Sequence, residues 1–447
     1  MSKRGGRSFG ANILISFAFT GVMTLLSFGN SVVVARMVGA EGRWLYAIAV
    51  AALGIAIPIG TLGLAFSSTW ALGQGRSTAK VVTLNHLWFG ALLLLCLSVA
   101  GGTAAWSGGL PTSEWLLVTF ACAVTLPAAV YCENTRGVFL GLNQAVRYNA
   151  AHSAIVLVLL AANLLLLGWG PKAVLLTLGL SYWSIALVML LGHLPHLAKA
   201  RWPGRELTTE SVRYGSQATG SHLIEVLLLR LDYLLVTPVV GMVAIGLFSV
   251  ADQIATVLAW GGLVAGRMML AQSAADPTGE LSRRKLGLGV RTLILVVGLG
   301  ALGVAATGWW VVPFVFGEEF RASVPGMLIM LPSAMIRGPN ALISSHLIGR
   351  NVIRPVLLAG AVSVVAMAVL APVAAVFFGW LGVAAARIVV VAIQLAINVR
   401  AHARDSGEPM RWVFDRDDFR ALQTWARARL ARGRRGSGEP PEPPPTS

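Results

Sequence analysis

The chain of 447 residues is 56% hydrophobic and only 12% charged, with a mean hydropathy of +0.73, which excludes an ordinary soluble domain, where about one quarter of residues are charged. Apolar runs of about 20 residues recur along it, the length an α-helix needs to cross a bilayer, whereas a barrel would show strands of about ten residues with alternating polarity. The net charge of +16 resides in short loops and a C-terminal tail and forms no basic stripe on a soluble domain, so it excludes a nucleic-acid partner and reads as a topology signal.

In chain order, a basic start (Lys3, Arg4, Arg7) precedes an apolar run over 13–35. That run exceeds the core of a signal peptide and further spans follow, so it is expected to be an uncleaved first helix. The other spans are predicted at 44–66, 81–105, 114–133, 151–169, 173–192, 216–240, 243–266, 288–312, 323–347, 356–378 and 380–400, twelve in all. With the N-terminus inside, every even loop is basic: Arg76 and Lys80; Arg136 and Arg147; Lys199, Arg201, Arg205 and Arg213; Arg267 through Arg291; Arg350 and Arg354. The odd loops hold only Arg36, Arg43, Lys172 and Arg321. Lys and Arg accumulate on the cytoplasmic side, so both termini are predicted inside. Cys96, Cys122 and Cys132 fall inside spans without metal-type spacing, so no disulfide, metal or other cofactor is expected.

The chain repeats itself. Gly39 to Ala49 (GAEGRWLYAIA) matches Gly241 to Ala251 (GMVAIGLFSVA) at a displacement of 202 residues, which sets Asn30 at the position of Asp232; Leu140 to Arg147 is echoed by Ile348 to Pro355. Each half holds an even number of spans, so the repeats are parallel and related by an axis along the membrane normal. The predicted fold is an all-α integral membrane protein of about 12 transmembrane helices in two six-helix lobes, residues 1–200 and 201–400, around a central cavity. Residues 401–447 form a basic, Pro-rich cytoplasmic tail, with an interfacial helix over 411–435 and a disordered end.

Leu223 to Ala251 is apolar enough for a bilayer yet carries Glu225, Arg230 and Asp232. Each ionisable group at that depth costs about 2.5–3.5 kcal/mol on insertion scales, so they face protein or water. At about 100° per residue Glu225 and Asp232 share a face and Arg230 points elsewhere, giving a helix with two polar sides. Arg230 and Asp252 lie at similar depth on neighbouring spans and could pair, so Arg230 is either half of a structural salt bridge or a substrate contact. Glu225 and Asp232, with His222 on their face, are candidates for ion coupling or for helix-to-helix hydrogen bonding. Arg337 sits mid-span between Pro332 and Pro339, the signature of a kinked, cavity-lining helix. Arg387 lies nearer a span end and is expected to snorkel; Arg36 and Arg43 mark the outer rim. Trp44, Trp106, Trp115, Trp169, Trp309, Trp310 and Trp380 fall at predicted outer boundaries, as an aromatic belt does. Glu318 and Glu319 are the only paired carboxylates in an outer loop, and their adjacency suits no two-sided glycoside chemistry, so no catalytic residues are expected.

Four patches carry a family resemblance: VVVARMVGAEGRWLYAIAVAALGIAIPIGTLGL near the N-terminus, LLRLDYLLVTPVVGMVAIGLFSVADQIA in span seven and beyond, VFGEEFRASVPGMLIML, and FFGWLGVAAARIVVV. In order and spacing they resemble the polysaccharide transporter branch of the multidrug/oligosaccharidyl-lipid/polysaccharide (MOP) exporter superfamily, which includes the Wzx-type O-antigen flippases. The resemblance implies two six-helix lobes around a cationic cavity in a bacterial inner membrane. It also implies flipping of polyprenyl-diphosphate-linked oligosaccharide from the cytoplasmic to the outer leaflet. Arginine suits the diphosphate because its fork of donors matches phosphate oxygens. The substrate-binding candidates are then Arg230, Arg337, Arg387 and Asn30, and Glu225, Asp232, Asp252 and His222 are the coupling or pairing set. A proton or sodium counter-ion, membrane lipid and polysaccharide assembly proteins are the expected partners. The alternatives are a multidrug or cation antiporter of the same superfamily, a membrane enzyme of polysaccharide assembly, and a scaffold acting through the basic tail.

Overall fold

The computed structural model describes residues 9–109, 113–197, 201–274, 276, 280–410 and 412. Apart from Trp412, the expected interfacial helix and the tail beyond it lie outside the described residues. Among the described residues there is no strand. Helices α1 (9–38) and α2 (40–61) are two legs of Phe9–Thr61, broken at Gly39. The short helix Leu64–Gly73 continues α2. Then come α3 (Thr78–Trp106), α4 (Glu114–Gly141), α5 (Ala145–Leu166), α6 (Ala173–Leu197), α7 (Gly204–Val240), α8 (Met242–Ala274), α9 (Glu280–Phe316) and α10 (Val324–Gly349). Finally α11 (353–378) and α12 (380–406) are the legs of Ile353–Ser406, broken at Gly379.

Eight helices among the described residues are long and apolar enough to cross a bilayer. Two of them are the broken pairs, so they supply ten crossings. The remaining two are α7 and α10, of 37 and 26 residues; α7 carries the ionisable groups, and α10 carries Arg337 with Pro332 and Pro339. Helices α1–α6 pack chiefly on one another, as do α7–α12, giving two six-helix lobes.

The internal repeat is written in the backbone. Gly39 (φ 64°, ψ −176°) and Gly241 (φ 84°, ψ 168°) adopt the same conformation at the α1–α2 and α7–α8 corners, one open essentially to glycine. Asn143 (φ 58°) and Asn351 (φ 64°), 208 residues apart, both take the left-handed turn that asparagine tolerates, after α4 and α10. The last helices align at 209 residues: Val174, Thr177, Leu178, Ser181, Met189 and His193 of α6 are buried, and so are Val383, Ala386, Arg387, Val390, Asn398 and His402 of α12.

The lobes meet at both ends of the bundle. At the expected outer end, Arg43 is buried and donates from Nε to Ser249 Oγ (2.7 Å), and from Nη1 and Nη2 to Ser31 O (2.6 Å) and Ser31 Oγ (2.7 Å). Its guanidinium lies 5.8 and 5.9 Å from the Phe316 and Phe320 ring centroids. Arg36 donates to the carbonyls of Val315 (2.7 Å) and Phe314, and Ala40 N to Glu319 Oε2 (3.1 Å). The two arginines read as rim charges therefore tie the lobes together. At the other end, any side chain on Gly63 or Gly215 would meet the other's backbone. There Trp70 stacks on Tyr214 (5.2 Å) and Arg76 pairs with Glu206 (3.0 Å) and Glu210 (2.9 Å). Helix α7 begins at Gly204, twelve residues before its predicted start, because those turns dock onto this corner.

Trp106, Trp115, Trp169, Trp309 and Trp310 are exposed, as a belt requires. Trp44 and Trp380 are corrections: Trp44 is buried with its ring 5.8 Å from Trp115, and Trp380 lies over Gly326, where a Cβ would clash with its ring.

Candidate functional site

Three charged side chains converge inside the second lobe. Arg387 of α12 donates from Nε to Asp232 Oδ2 of α7 (2.5 Å) and from Nη1 to Asp252 Oδ1 of α8. The Tyr233 hydroxyl donates to Asp252 Oδ2 at 2.8 Å, and the guanidinium lies 5.0 Å from the Phe248 ring centroid. Exposure is 0% for Asp232, 5% for Arg387 and 7% for Asp252. Two sequence expectations are corrected here. Arg387 does not snorkel; it turns inward, because two carboxylates wait there. The pair of Arg230 and Asp252 does not form, since Arg387 and Tyr233 occupy the Asp252 oxygens.

Arg230 sits about 160° around α7 from Asp232 and so faces the other lobe. Its side chain fills the space beside Gly54 of α2, where a Cβ would lie 3.5 Å from its Cγ. It is half-buried and makes no hydrogen bond or ion pair among the described residues. Arg337 of α10 is also half-buried and reaches only Thr256 Oγ1, at 3.5 Å. Counted from the expected outer ends of α7 and α10 at about 1.5 Å per residue, the two arginines lie about 15 and 20 Å deep. They are mid-membrane cations with unused donors.

In the first lobe the position matching Asp232 carries a neutral network. Asn30 donates to Tyr46 Oη (3.0 Å), Asn163 Nδ2 to Asn30 Oδ1 (2.6 Å), and Thr177 Oγ1 to Asn163 Oδ1 (2.6 Å). Asn30 is thus buried and committed to α2 and α5.

Nearer the expected inner end, Glu133 and Arg136 of α4 form an ion pair, and Arg136 lies 4.5 Å from the Tyr148 ring centroid. Glu133 is within electrostatic reach of His152 and of His222 from the opposite lobe. His222 and Glu225 are both exposed on α7, and Glu225 makes no hydrogen bond or ion pair among the described residues. Arg136 was expected in a loop; it lies inside α4 and is buried, because Glu133 one turn earlier neutralises it. The signal was present in YCENTRGVF, where a carboxylate and an arginine sit three apart inside an apolar run. No three His, Cys, Asp or Glu side chains among the described residues are grouped as metal ligands.

Residues 9–265 match the profile of a family described as polysaccharide biosynthesis protein. The chain belongs to that family. No curated protein matches it. Among solved structures, it is similar to an inward-facing multidrug resistance MATE family transporter of the MOP superfamily, with a TM-score of 0.68 and 14% identity over 88% of this chain and 99% of that one. It is similar also to the lipid II flippase MurJ in an inward closed conformation, with a TM-score of 0.64 and 13% identity over 95% and 94% of the two chains. An outward-facing MATE transporter gives 0.55 and 16% over 90% and 98%. The fold of this polysaccharide biosynthesis family member is therefore that of the MOP superfamily, as its sequence patches imply, and it is a multi-pass membrane protein.

Proposed function

We propose that this protein is a flippase that moves polyprenyl-diphosphate-linked oligosaccharide from the cytoplasmic to the outer leaflet of a bacterial inner membrane by alternating access. The observation that carries the reading is two half-buried arginines inside apolar spans, Arg230 against Gly54 of the opposite lobe and Arg337 within the second lobe beside Thr256, both with donors unspent. An anionic head group is what such donors take, and two guanidiniums match the two phosphates of a diphosphate. The head group crosses between the lobes while the polyprenyl chain stays in lipid. An apolar cleft lined by Leu62, Leu84, Leu87, Trp88 and Val212, at the corner where α7 begins, offers the tail a seat.

Residues 1–200 and 201–400 act as the two moving units, and the contacts at each end of the bundle are the gates that open in turn. Both termini, and the tail from residue 401, lie in the cytoplasm, where the tail meets polysaccharide assembly proteins. Arg387 serves as a scaffold for the carboxylates beside the site, and Asn30 sets the matching joint in the other lobe. Because Asp232 and Asp252 are engaged by Arg387, a proton or sodium counter-ion must exchange elsewhere, and Glu225, with His222 beside it, is the carboxylate left free on their helix. An exporter of cationic drugs needs free acidic groups at mid-membrane; here Asp232 and Asp252 are engaged by Arg387, and the charges left free are Arg230 and Arg337. Glu318 is held by Arg321 (2.6 Å) and Glu319 by Ala40 N, so neither is placed as a catalytic acid.

The test is translocation of a polyprenyl-diphosphate oligosaccharide by purified protein in liposomes. Loss of one charge-assisted contact, about 1.5–3 kcal/mol, predicts that Arg337→Ala or Arg230→Ala slows translocation on the order of ten- to a hundredfold while insertion is unchanged. Wild-type rates in both variants would remove the arginines from the site.

A further inference from the structure

A polar stripe runs down α12 that the diphosphate site does not use. Arg387, Gln394, Asn398, His402 and Asp405 recur at spacings of seven, four, four and three, which sets them on one face of the helix. They span 18 residues, about 27 Å of helix, from about 10 Å below the expected outer end of α12 to its cytoplasmic end. Helix α10 answers with its own polar residues. Asn398 Nδ2 donates to Asn340 Oδ1 (2.8 Å), and Asn340 Nδ2 to Gln394 Oε1 (3.0 Å). Lower down, the His346 and His402 rings lie 5.5 Å apart, and His346 Nδ1 shares a hydrogen bond with Ser273 Oγ of α8 (2.8 Å).

The fold does not require this stripe. In the first lobe, 209 residues earlier, the same helix carries Leu178, Ile185 and Met189 where α12 carries Arg387, Gln394 and Asn398, and stays polar, with His193 and His196, only at the positions of His402 and Asp405. A buried position that takes leucine in one lobe and arginine in the other is free to be apolar. Polar groups kept there at a cost in stability have another use.

The second observation is what the stripe leaves unsatisfied. Among the described residues, His346 Nε2, His402 Nδ1 and Asn398 Oδ1 are buried atoms without a hydrogen-bond partner. His346 and Asn398 are 0% exposed and His402 6%. Such clusters of unpaired polar atoms hold water. We propose that the α12 stripe is a proton path through the second lobe, with the His346–His402 pair as its proton-exchange site at the cytoplasmic end and the Arg387 cluster as its inner terminus. The path rests on the transport reading above and assigns the proton as the coupling ion.

One proton enters from the aqueous side onto a free imidazole nitrogen, converting one histidine to imidazolium, and one is released through water along the stripe and the Thr256 hydroxyl into the substrate site, which returns the imidazole to neutral. The groups that face the pair are Asp405 of α12, Arg350 just past α10, where its Nε lies 3.7 Å from Asp405 Oδ2, and Arg283 of α9; α8 contributes the Ser273 hydroxyl. Asp405 balances the imidazolium while Arg350 and Arg283 oppose it, so the proton is held only transiently. Amide side chains do not pass protons themselves, so Asn398, Asn340 and Gln394 orient the water that does. Above them Thr256 lies between Arg337 Nη1 (3.5 Å) and Asp252 Oδ1 (3.4 Å), joining the stripe's upper end to the substrate site.

The experiment uses liposomes with a trapped pH indicator, in which lipid translocation and internal pH are read together, and a second arm in which a potassium diffusion potential drives protons without lipid substrate. The path predicts proton movement by wild type in both arms. His346→Gln with His402→Gln, and separately Asn398→Leu, should abolish it, so the ratio of protons to lipids moved collapses. His193→Gln, the counterpart of His402 in the first lobe, should leave both quantities unchanged. Translocation by wild type without any proton movement, or an unaltered ratio in folded His and Asn398 variants, would overturn the path while leaving the flippase intact. Absence of lipid translocation with proton uptake that the same variants lose would overturn the flippase reading and keep the path. A wild type that moves neither overturns both.

Discussion

Arg387 shows what a single side chain settles in this protein. With one guanidinium shared by two buried carboxylates, removing the arginine leaves two uncompensated charges, whereas removing charges from both sides leaves a neutral joint. Losing one partner of a buried pair costs about 3–5 kcal/mol, so Arg387→Met should strongly lower the melting temperature in detergent, and adding Asp232→Asn and Asp252→Asn should restore much of it. Purely additive losses would show that the three do not act as a unit. The sequence announced that charges lay within apolar spans, because composition alone makes them conspicuous. It did not announce which arginine claims which aspartate. Asp232 and Arg387 are 155 residues apart, and the rotation of α7, α8 and α12 against one another decides between Arg230 and Arg387. Arg136 falls in a predicted loop for a simpler reason: a basic residue near a span end looks like a loop signal unless its neutralising partner one turn away, Glu133, is read with it.

At the scale of elements, length and hydropathy made the twelve spans legible, and the repeat was legible through Gly39, Gly241, Asn143 and Asn351, whose conformations few other residues adopt. Gly39 has a further constraint: a Cβ there would approach Glu319 Oε1 to 2.8 Å. Gly39→Ala is therefore expected to cost about 1–2 kcal/mol from backbone strain alone, and more if Glu319 must leave Ala40 N; a thermal melt unchanged from wild type would contradict this. Helix ends were the least legible part. The first turns of α7 are polar enough to read as a loop, and only the docking corner of Leu64–Gly73 makes them helix. The α12 stripe was open to reading in the sequence as Arg387, Gln394, Asn398, His402 and Asp405 at helical spacing. It went unnoticed because each polar residue alone, in a run this apolar, looks incidental.

Across the whole molecule, two lobes are pinned at both ends with Arg230 of one against Gly54 of the other, and the pins must break alternately for anything to pass. The Arg76 contacts to Glu206 and Glu210 are exposed, worth at most about 1 kcal/mol each and suited to a gate that opens. Cysteines at Arg76 and Glu210, joined by a bis-thiol reagent with a cleavable disulfide spacer, should stop translocation, with recovery on reduction; cross-linked protein that still translocates would show that this corner is not a gate. The most direct measurement of the central claim compares cargoes in one preparation: wild-type protein in liposomes, given a polyprenyl-diphosphate oligosaccharide, the matching monophosphate, and a fluorescent lipophilic cation. The arginine pair predicts that the diphosphate crosses fastest, the monophosphate more slowly and the cation not at all. Movement of the cation without either lipid would contradict the account and make the protein a cation exporter on the same fold.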